Sequence, residues 1–317
     1  MKHGHNTLDN LAGIQKIKPQ MVTTVQDLAE QLRQAVESSN EQMIAGLASA
    51  YSGKEREKVL RAYLSATGTT AADAIRKALK NGPTENLLAY LWDKPGDVRA
   101  KLIRNALSGK NDEAALIDLV IHCSSEDWYN TCTEYTTDYK RVLNDDLLSD
   151  IGTKEQWTKV FKHWILHKRS DRFDIDGDEK RLVTAIGKKD YDTIAEMLGT
   201  TSVSEYANIV RRAEVTLGKT IDQALSAVWS KQDLAVLLAA HYELLHPARL
   251  AFHLLKQALD GKKPDEARII RITALTFDTC LAVKYAASEA DYDIGSAFAK
   301  ALDKRLAPLI KILWRVM

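Results

Sequence analysis

Apolar residues recur three and four positions apart through most of the chain, the spacing that turns one face of an α-helix toward a core. Leu28, Leu32, Ala35 and Val36 mark one such face. No run alternates apolar and polar residues between hairpin turns, and only six prolines and fifteen glycines interrupt the pattern. It therefore predicts an all-α fold with almost no sheet. The longest uninterrupted apolar run, Leu234 to Ala240, falls well short of the roughly 20 residues that cross a hydrocarbon core.

The polar breaks repeat. Gln34-Ala35-Val36 leads to Asn40-Glu41, Asn105-Ala106-Leu107 to Asp112-Glu113, Thr184-Ala185-Ile186 to Asp190, and Gln257-Ala258-Leu259 to Asp265-Glu266. The four alanines lie 71, 79 and 73 residues apart, a period near seventy. Each break is followed by an apolar helix, at Met43 to Tyr51, Ala115 to His122, Thr193 to Leu198 and Ile269 to Leu275. Polar caps at Ser52-Gly53, Ser124-Ser125 and Ser202-Val203-Ser204 open a third helix. Gly68-Thr69-Thr70 and Gly218-Lys219-Thr220 open a fourth, and Thr84-Glu85-Asn86 and Ser230-Lys231-Gln232 a fifth. Five helices per unit exceed the two-helix solenoid repeats.

The units fall at residues 23–93, 94–166, 179–245 and 246–317, with the charged run around His167 to Lys180 supplying a linker at 167–178. Residues 1–22 read as an N-terminal arm or an added leader, with Met21 a plausible native start. They lack an apolar stretch of signal-peptide length, so a cytoplasmic location is expected.

Four units of five helices, with a loop after each first helix carrying Gly, Lys and an acidic cap, resemble the annexin family, and in their degenerate loops most of all the alpha-giardins. The resemblance covers nearly everything from Met21 to Met317. It implies a slightly curved disk that binds calcium in its convex loops and docks on acidic phospholipid, with alpha-giardins adding an association with a protozoan cytoskeleton. The annexin loop reads M-K-G-x-G-T, followed after 38 residues by Asp or Glu. Inward carbonyls and one distant carboxylate suit a hard cation that prefers oxygen.

In the second repeat the matching stretch is Ala106-Leu107-Ser108-Gly109-Lys110-Asn111, and the count ends on Asp150. The carbonyls of Ala106, Ser108 and Lys110 would serve with the Asp150 carboxylate. In the fourth repeat the stretch is Leu259-Asp260-Gly261-Lys262-Lys263-Pro264, and the count ends on Asp303. Leu259, Gly261 and Lys263 would serve with Asp303. Ser108, Lys110 and Lys263 replace family glycines, and a non-glycine residue at positive φ is strained, so calcium affinity is expected to be weak. The same count ends on Ala78 in the first repeat and Val228 in the third, which marks both as lost sites.

Two loops before fifth helices, Gly152-Thr153-Lys154-Glu155 and Asn81-Gly82-Pro83-Thr84-Glu85, fit a second annexin calcium outline loosely but read better as helix caps with a first-turn acid. Asp174-Ile175-Asp176-Gly177-Asp178 has the acids of a helix–loop–helix calcium loop. Its glycine is at the fourth rather than the sixth position and its twelfth residue is no glutamate, so it reads as a capped polar linker.

Lys and Arg total 44 against 43 for Asp and Glu, which leaves no global basic field for nucleic acid. Cys123, Cys132 and Cys280 lack zinc or redox spacing and read as reduced, mostly buried thiols. No G-x-G-x-x-G, P-loop, H-E-x-x-H or G-x-S-x-G occurs, so no enzyme is predicted. His163-Trp164 and His167-Lys168 read as helix surface, His246-Pro247 as a turn, and His241 and His253 as core histidines. Lys110, Lys188, Lys189, Lys262 and Lys263 all fall in the loops after first helices, where lysine could attract anionic headgroups directly. The expected function is calcium-assisted peripheral binding to acidic phospholipid, with a bridge from membrane to cytoskeleton implied by the alpha-giardin resemblance. The alternative is a calcium-independent cytoskeletal scaffold.

Overall fold

The computed structural model describes residues 24–80, 82–151 and 155–316. Residues 1–23, which include the whole N-terminal segment 1–22, together with Asn81, Gly152 to Lys154 and Met317, lie outside the described residues. Of what is described, 76% is helical, against about one-third in a typical globular protein. The single bridge is Ser170 with Thr201.

Among the described residues twenty α-helices fall into four sets of five. The first set is α1 (Val25–Glu37), α2 (Glu41–Ala50), α3 (Gly53–Thr67), α4 (Ala71–Leu79) and α5 (Pro83–Leu91). The second is α6 (Pro95–Ala106), α7 (Glu113–Ile121), α8 (Ser125–Tyr139), α9 (Leu143–Asp150) and α10 (Thr158–Trp164). The third is α11 (Ile175–Lys188), α12 (Tyr191–Thr200), α13 (Val203–Leu217), α14 (Ile221–Ser226) and α15 (Lys231–Leu245). The fourth is α16 (Pro247–Leu259), α17 (Glu266–Thr276), α18 (Cys280–Glu289), α19 (Ile294–Ala301) and α20 (Leu306–Trp314).

The repeat is visible at atomic detail where each second helix begins. Asn40, Asp112, Asp190 and Asp265 cap α2, α7, α12 and α17 with φ between −83° and −88° and ψ between 84° and 88°. Each side chain accepts the amide three residues on, of Met43, Ala115, Thr193 and Arg268. That removes one of the unpaired donors at a helix start. Each cap residue also donates its own amide to the carbonyl of the repeat's alanine, Ala35, Ala106, Ala185 or Ala258, at 2.8–2.9 Å.

Third helices follow serine caps in three repeats, with Ser124 and Ser202 accepting the amides of Asp127 and Glu205. The fourth repeat departs from this. It has no such serine, Phe277–Thr279 form a 3-10 turn, and α18 is ten residues long against fifteen in α3, α8 and α13. Gly68 and Gly218 end α3 and α13 at φ 70° and 64°, and Lys140 holds the same left-handed turn after α8.

Within a repeat the first helix packs on the third, and the repeats join through second and fifth helices. Helices α2 and α5 meet α20 and α17, and α7 and α10 meet α15 and α12. Thus the first repeat pairs with the fourth and the second with the third. Polar side-chain contacts reinforce both junctions. Arg56, buried and stacked 4.3 Å over the Phe277 ring, donates to Asp278 at 2.7 and 2.9 Å, and His122 Nδ1 lies 2.7 Å from Glu243. Across the centre, buried Asp118 on α7 accepts from Arg268 and Arg271 on α17.

Two sequence expectations change here. Trp164 is no surface residue: it is 2% exposed, with the Arg169 guanidinium 3.9 Å over its ring. Beside it, burial and Arg169 hold His167 down at about 4. The segment expected to be a linker also gives its last residues to a helix. Asp174 accepts the amide of Gly177 and starts α11, so Ile175 to Asp178 are a first helical turn.

Candidate functional site

The loops after the first helices differ in length, and length decides what each can hold. In the first and third repeats they are residues 38–40 and 189–190, each turned by a single left-handed residue, Ser39 (φ 51°) or Lys189 (φ 58°). In the second and fourth they are residues 107–112 and 260–265. The two short loops lack the closing carboxylate and the residues to form a carbonyl cage.

In the second repeat the positive φ falls on Gly109, at 75°, and not on Ser108 or Lys110. The strain expected from losing the family glycines is therefore absent, because the turn uses the glycine that remains. The Ala106 carbonyl accepts the Asp112 amide at 2.9 Å, so one of its lone pairs is committed to closing the loop. Among the described residues no backbone amide takes the Ser108 or Lys110 carbonyl. Asn111 Nδ2 donates to the Asp150 backbone carbonyl at 3.0 Å, fastening this loop to the end of α9. Asp150 is exposed and makes no ion pair among the described residues. The sequence count thus brings together Ser108, Lys110 and Asp150, with Ala106 at the base of the turn. The count starts from Asn111, which stands where the family has threonine, but gave that residue no role.

The fourth repeat is arranged differently. Asp265 follows Ala258 by seven positions where Asp112 follows Ala106 by six, so Leu259 is one residue beyond the equivalent of Ala106. A Cβ on Gly261 would stand 3.0 Å from the Lys263 carbonyl oxygen, so the loop folds onto that glycine. Asp260 accepts from Lys256 and from Tyr292 Oη at 2.8 Å, and those donors hold its carboxyl below the usual range. Leu259, Gly261 and Pro264 face Tyr292, Ser296 and Lys300 across a shallow cleft. One oxygen of Asp303 is occupied elsewhere. Its Oδ1 accepts the amides of Leu306 and Arg305 at 2.7 and 2.8 Å, which caps α20 and lowers its pKa. Pro264, at the position of Asn111, has no side-chain donor to tie the loop to the far acid.

Of the looser candidates, Glu85 is buried in the first turn of α5, and Glu155 is exposed beside the undescribed residues 152–154. Among the described residues no group of three or more His, Cys, Asp or Glu side chains could hold a metal. The histidines serve packing: His241 Nδ1 lies 2.8 Å from Tyr206 Oη, and burial holds both His241 and His253 near 4. Ser125 Oγ lies 3.2 Å from His167 Nδ1, yet His167 Nε2 is buried without a partner, so no third group orients the pair as a nucleophile would require. Cys123 and Cys280 are buried and Cys132 partly so, all as free thiols.

Comparison with known proteins fits this geometry. A family model described as Annexin E1, fourth repeat, matches residues 251–315. Giardin subunit alpha-1 of Giardia intestinalis is 39% identical over 293 residues, covering 92% of this chain and 99% of that one. The crystal structure of calcium-bound alpha-1 giardin superposes with a TM-score of 0.87 at 38% identity, over 93% of this chain and 100% of the other. The structure of annexin III shares the fold, with a TM-score of 0.78 at 21% identity over 92% and 94% of the two chains.

Proposed function

The chain belongs to the alpha-giardin family of annexin-fold proteins, and from that premise we propose that it is a peripheral membrane adaptor that binds acidic phospholipid with the help of weakly held calcium. No described helix is long and apolar enough to cross a membrane. The observation that supports the reading most is the tie between Asn111 and the Asp150 carbonyl, which brings an exposed carboxylate-bearing helix end to a loop with two unclaimed carbonyls.

Calcium would be held by the Ser108 and Lys110 carbonyls and the Asp150 carboxylate, and it would supply positive charge shared with a lipid phosphate. Three protein oxygens are few for this ion, which takes six to eight, so weak affinity follows from the donor count rather than from backbone strain. In the fourth repeat Asp303 gives Oδ1 to two amides and has only Oδ2 left over, and Pro264 offers no side-chain tie to it, so we assign the second repeat as the principal site. A role in linking the membrane to the cytoskeleton is part of the same proposal and is supported by membership of the family alone.

The test is co-sedimentation with phosphatidylserine vesicles with and without millimolar calcium, alongside calorimetry. One weak calcium site per chain and calcium-enhanced sedimentation are expected. Four tight independent sites, or sedimentation indifferent to calcium, would overturn the proposal, and the latter would favour the calcium-independent scaffold.

A further inference from the structure

The loops after first helices and the junctions before fifth helices share one end of the repeats. In the first repeat Thr84 at the start of α5 donates to Glu41 at the start of α2, at 3.1 Å. In the second Asn111 meets the end of α9, and in the third Tyr191 Oη donates to the Asp233 carbonyl at 3.2 Å. Arg305, in the fourth repeat's junction, reaches Glu41 of the first. Residues far apart in sequence are thereby gathered on one face.

That face collects lysines. Lys110, Lys189, Lys262 and Lys263 are exposed in the first kind of loop, and Lys188 is exposed at the end of α11 beside it. Lys80, Lys231 and Lys304 are exposed in the second kind, where the sequence pattern alone gave no reason to group them with the others. All eight are absent from the ion pairs among the described residues, which otherwise engage lysines such as Lys94, Lys101 and Lys159. The chain is formally only +1, so a basic face exists because the fold sorts charge. Helix α8, by contrast, holds Glu126, Asp127, Glu134 and Asp138 and no basic residue.

The third repeat shows the sorting most sharply. Its calcium count ends on Val228 and its loop is only residues 189–190, yet it exposes Lys188, Lys189 and Lys231. Of the acids beside them, Asp190 and Asp192 are engaged, while half-buried Asp233, two residues after Lys231, has no side-chain partner among the described residues. Asp190 accepts the Thr193 amide and hydroxyl at 3.1 and 2.8 Å, which lowers its pKa, and Asp192 pairs with Lys159 of the second repeat. Lys189 and Lys231 sit in left-handed turns at φ 58° and 54°, which hold their backbones in defined conformations at the surface.

We infer that the third repeat contacts anionic lipid headgroups directly through Lys188, Lys189 and Lys231, without calcium, as the strongest part of a lysine-bearing loop face. This deepens the proposed function and rests on its assignment of the loop face to the membrane. Ammonium groups need no coordination geometry to attract a phosphate or carboxylate headgroup, only proximity and low ionic strength. The second repeat then supplies the calcium-dependent part of binding and the third the calcium-independent part.

The test is sedimentation of the full chain with phosphatidylserine vesicles in chelator, at about 0.05 M and about 0.5 M salt. Phosphatidylcholine vesicles serve as the control. Wild type should bind the anionic vesicles at low salt and lose them at high salt. Lys188→Gln, Lys189→Asn and Lys231→Asn together should weaken binding in chelator on the order of a hundredfold. The increment added by calcium should persist in this variant, and circular dichroism should show unchanged helix content. Asp150→Ala should do the reverse, removing the calcium increment while leaving binding in chelator intact. The inference is overturned if wild type ignores anionic vesicles in chelator, or if the triple variant binds as well as wild type there. Loss of the calcium increment in wild type would instead remove the calcium proposal and leave this one standing.

Discussion

Removing the Asp118 carboxylate should be among the most destabilising single changes available, because two guanidinium groups converge on it from another repeat. Asp118 is 3% exposed, and its two oxygens accept from Arg268 Nε at 2.9 Å, Arg268 Nη2 at 2.6 Å and Arg271 Nη2 at 2.6 Å. Arg271 is itself 7% exposed, and its Nε already has no partner. Asp118→Ala leaves two cations with little water to replace the acid. Truncating one partner of a buried pair costs about 3–5 kcal/mol. At a urea slope of about 2–3 kcal/mol per M, the unfolding midpoint should fall by about 1–2 M. Because Asp118 joins the second repeat to the fourth, the loss should also separate the tryptophan fluorescence transition from the far-UV circular dichroism transition. The triple change Asp118→Leu, Arg268→Met and Arg271→Met should recover most of the stability, since desolvated charges roughly cancel their own attraction. A midpoint shift below about 0.3 M in Asp118→Ala, equivalent to under 1 kcal/mol, would refute the reasoning by showing that water reaches both arginines.

Asp150→Ala should abolish the calorimetric calcium signal, whereas Asp303→Ala should leave it and lower stability by about 1 kcal/mol through loss of the α20 cap. Gly199→Ala should cost about 1–3 kcal/mol in urea unfolding, because the added Cβ would stand 2.2 Å from His163 Cβ where α12 packs on α10. Gly187→Ala, with nothing within 4 Å, should instead be neutral or stabilising. Burial, then the neighbouring Asp93 and Glu134 charges, raise Asp97 from 3.8 to about 6. The folded state therefore binds this proton more tightly than the unfolded one, and the group's contribution to stability declines as pH rises from about 4 to about 6. Asp97→Asn should melt about 2 °C above wild type at pH 7, a gap that closes below pH 4, as thermal melts across that range will show.

The repeat architecture was legible in the sequence because its signals are local. A first helix needs its apolar face, as at Leu28, Leu32, Ala35 and Val36, all of which are buried. A second helix needs its Asn or Asp cap, and all four caps stand where the polar breaks placed them. Gly68 and Gly218 take the positive φ that ends a helix. Local legibility also explains the two misplacements. An aspartate-rich stretch reads the same as a linker or as a capped first turn, so the start of α11 at Ile175 was missed. Trp164 next to His163 reads as surface until Arg169 folds over it from the next segment.

For the candidate site, counting residues found the second-repeat loop and Asp150 but could not weigh them against the fourth. Spacing records where an acid falls along the chain and not what its oxygens already accept. Asp150 and Asp303 satisfy the same count, yet both oxygens of one stand free beside Asn111 while one oxygen of the other is given to the amides of Arg305 and Leu306. The burial of Asp118 between arginines 150 and 153 residues away is likewise absent from any local pattern. So is the gathering of Lys80, Lys231 and Lys304 with the loop lysines. Hydrophobic period, caps and turn glycines act over a few residues, so the sequence determined the helices and their fourfold repeat by itself. Hydrogen-bond competition and ion pairing act between segments that only packing brings together, so the tertiary structure alone decided how each acid's oxygens are engaged and which exposed lysines lie without a partner among the described residues.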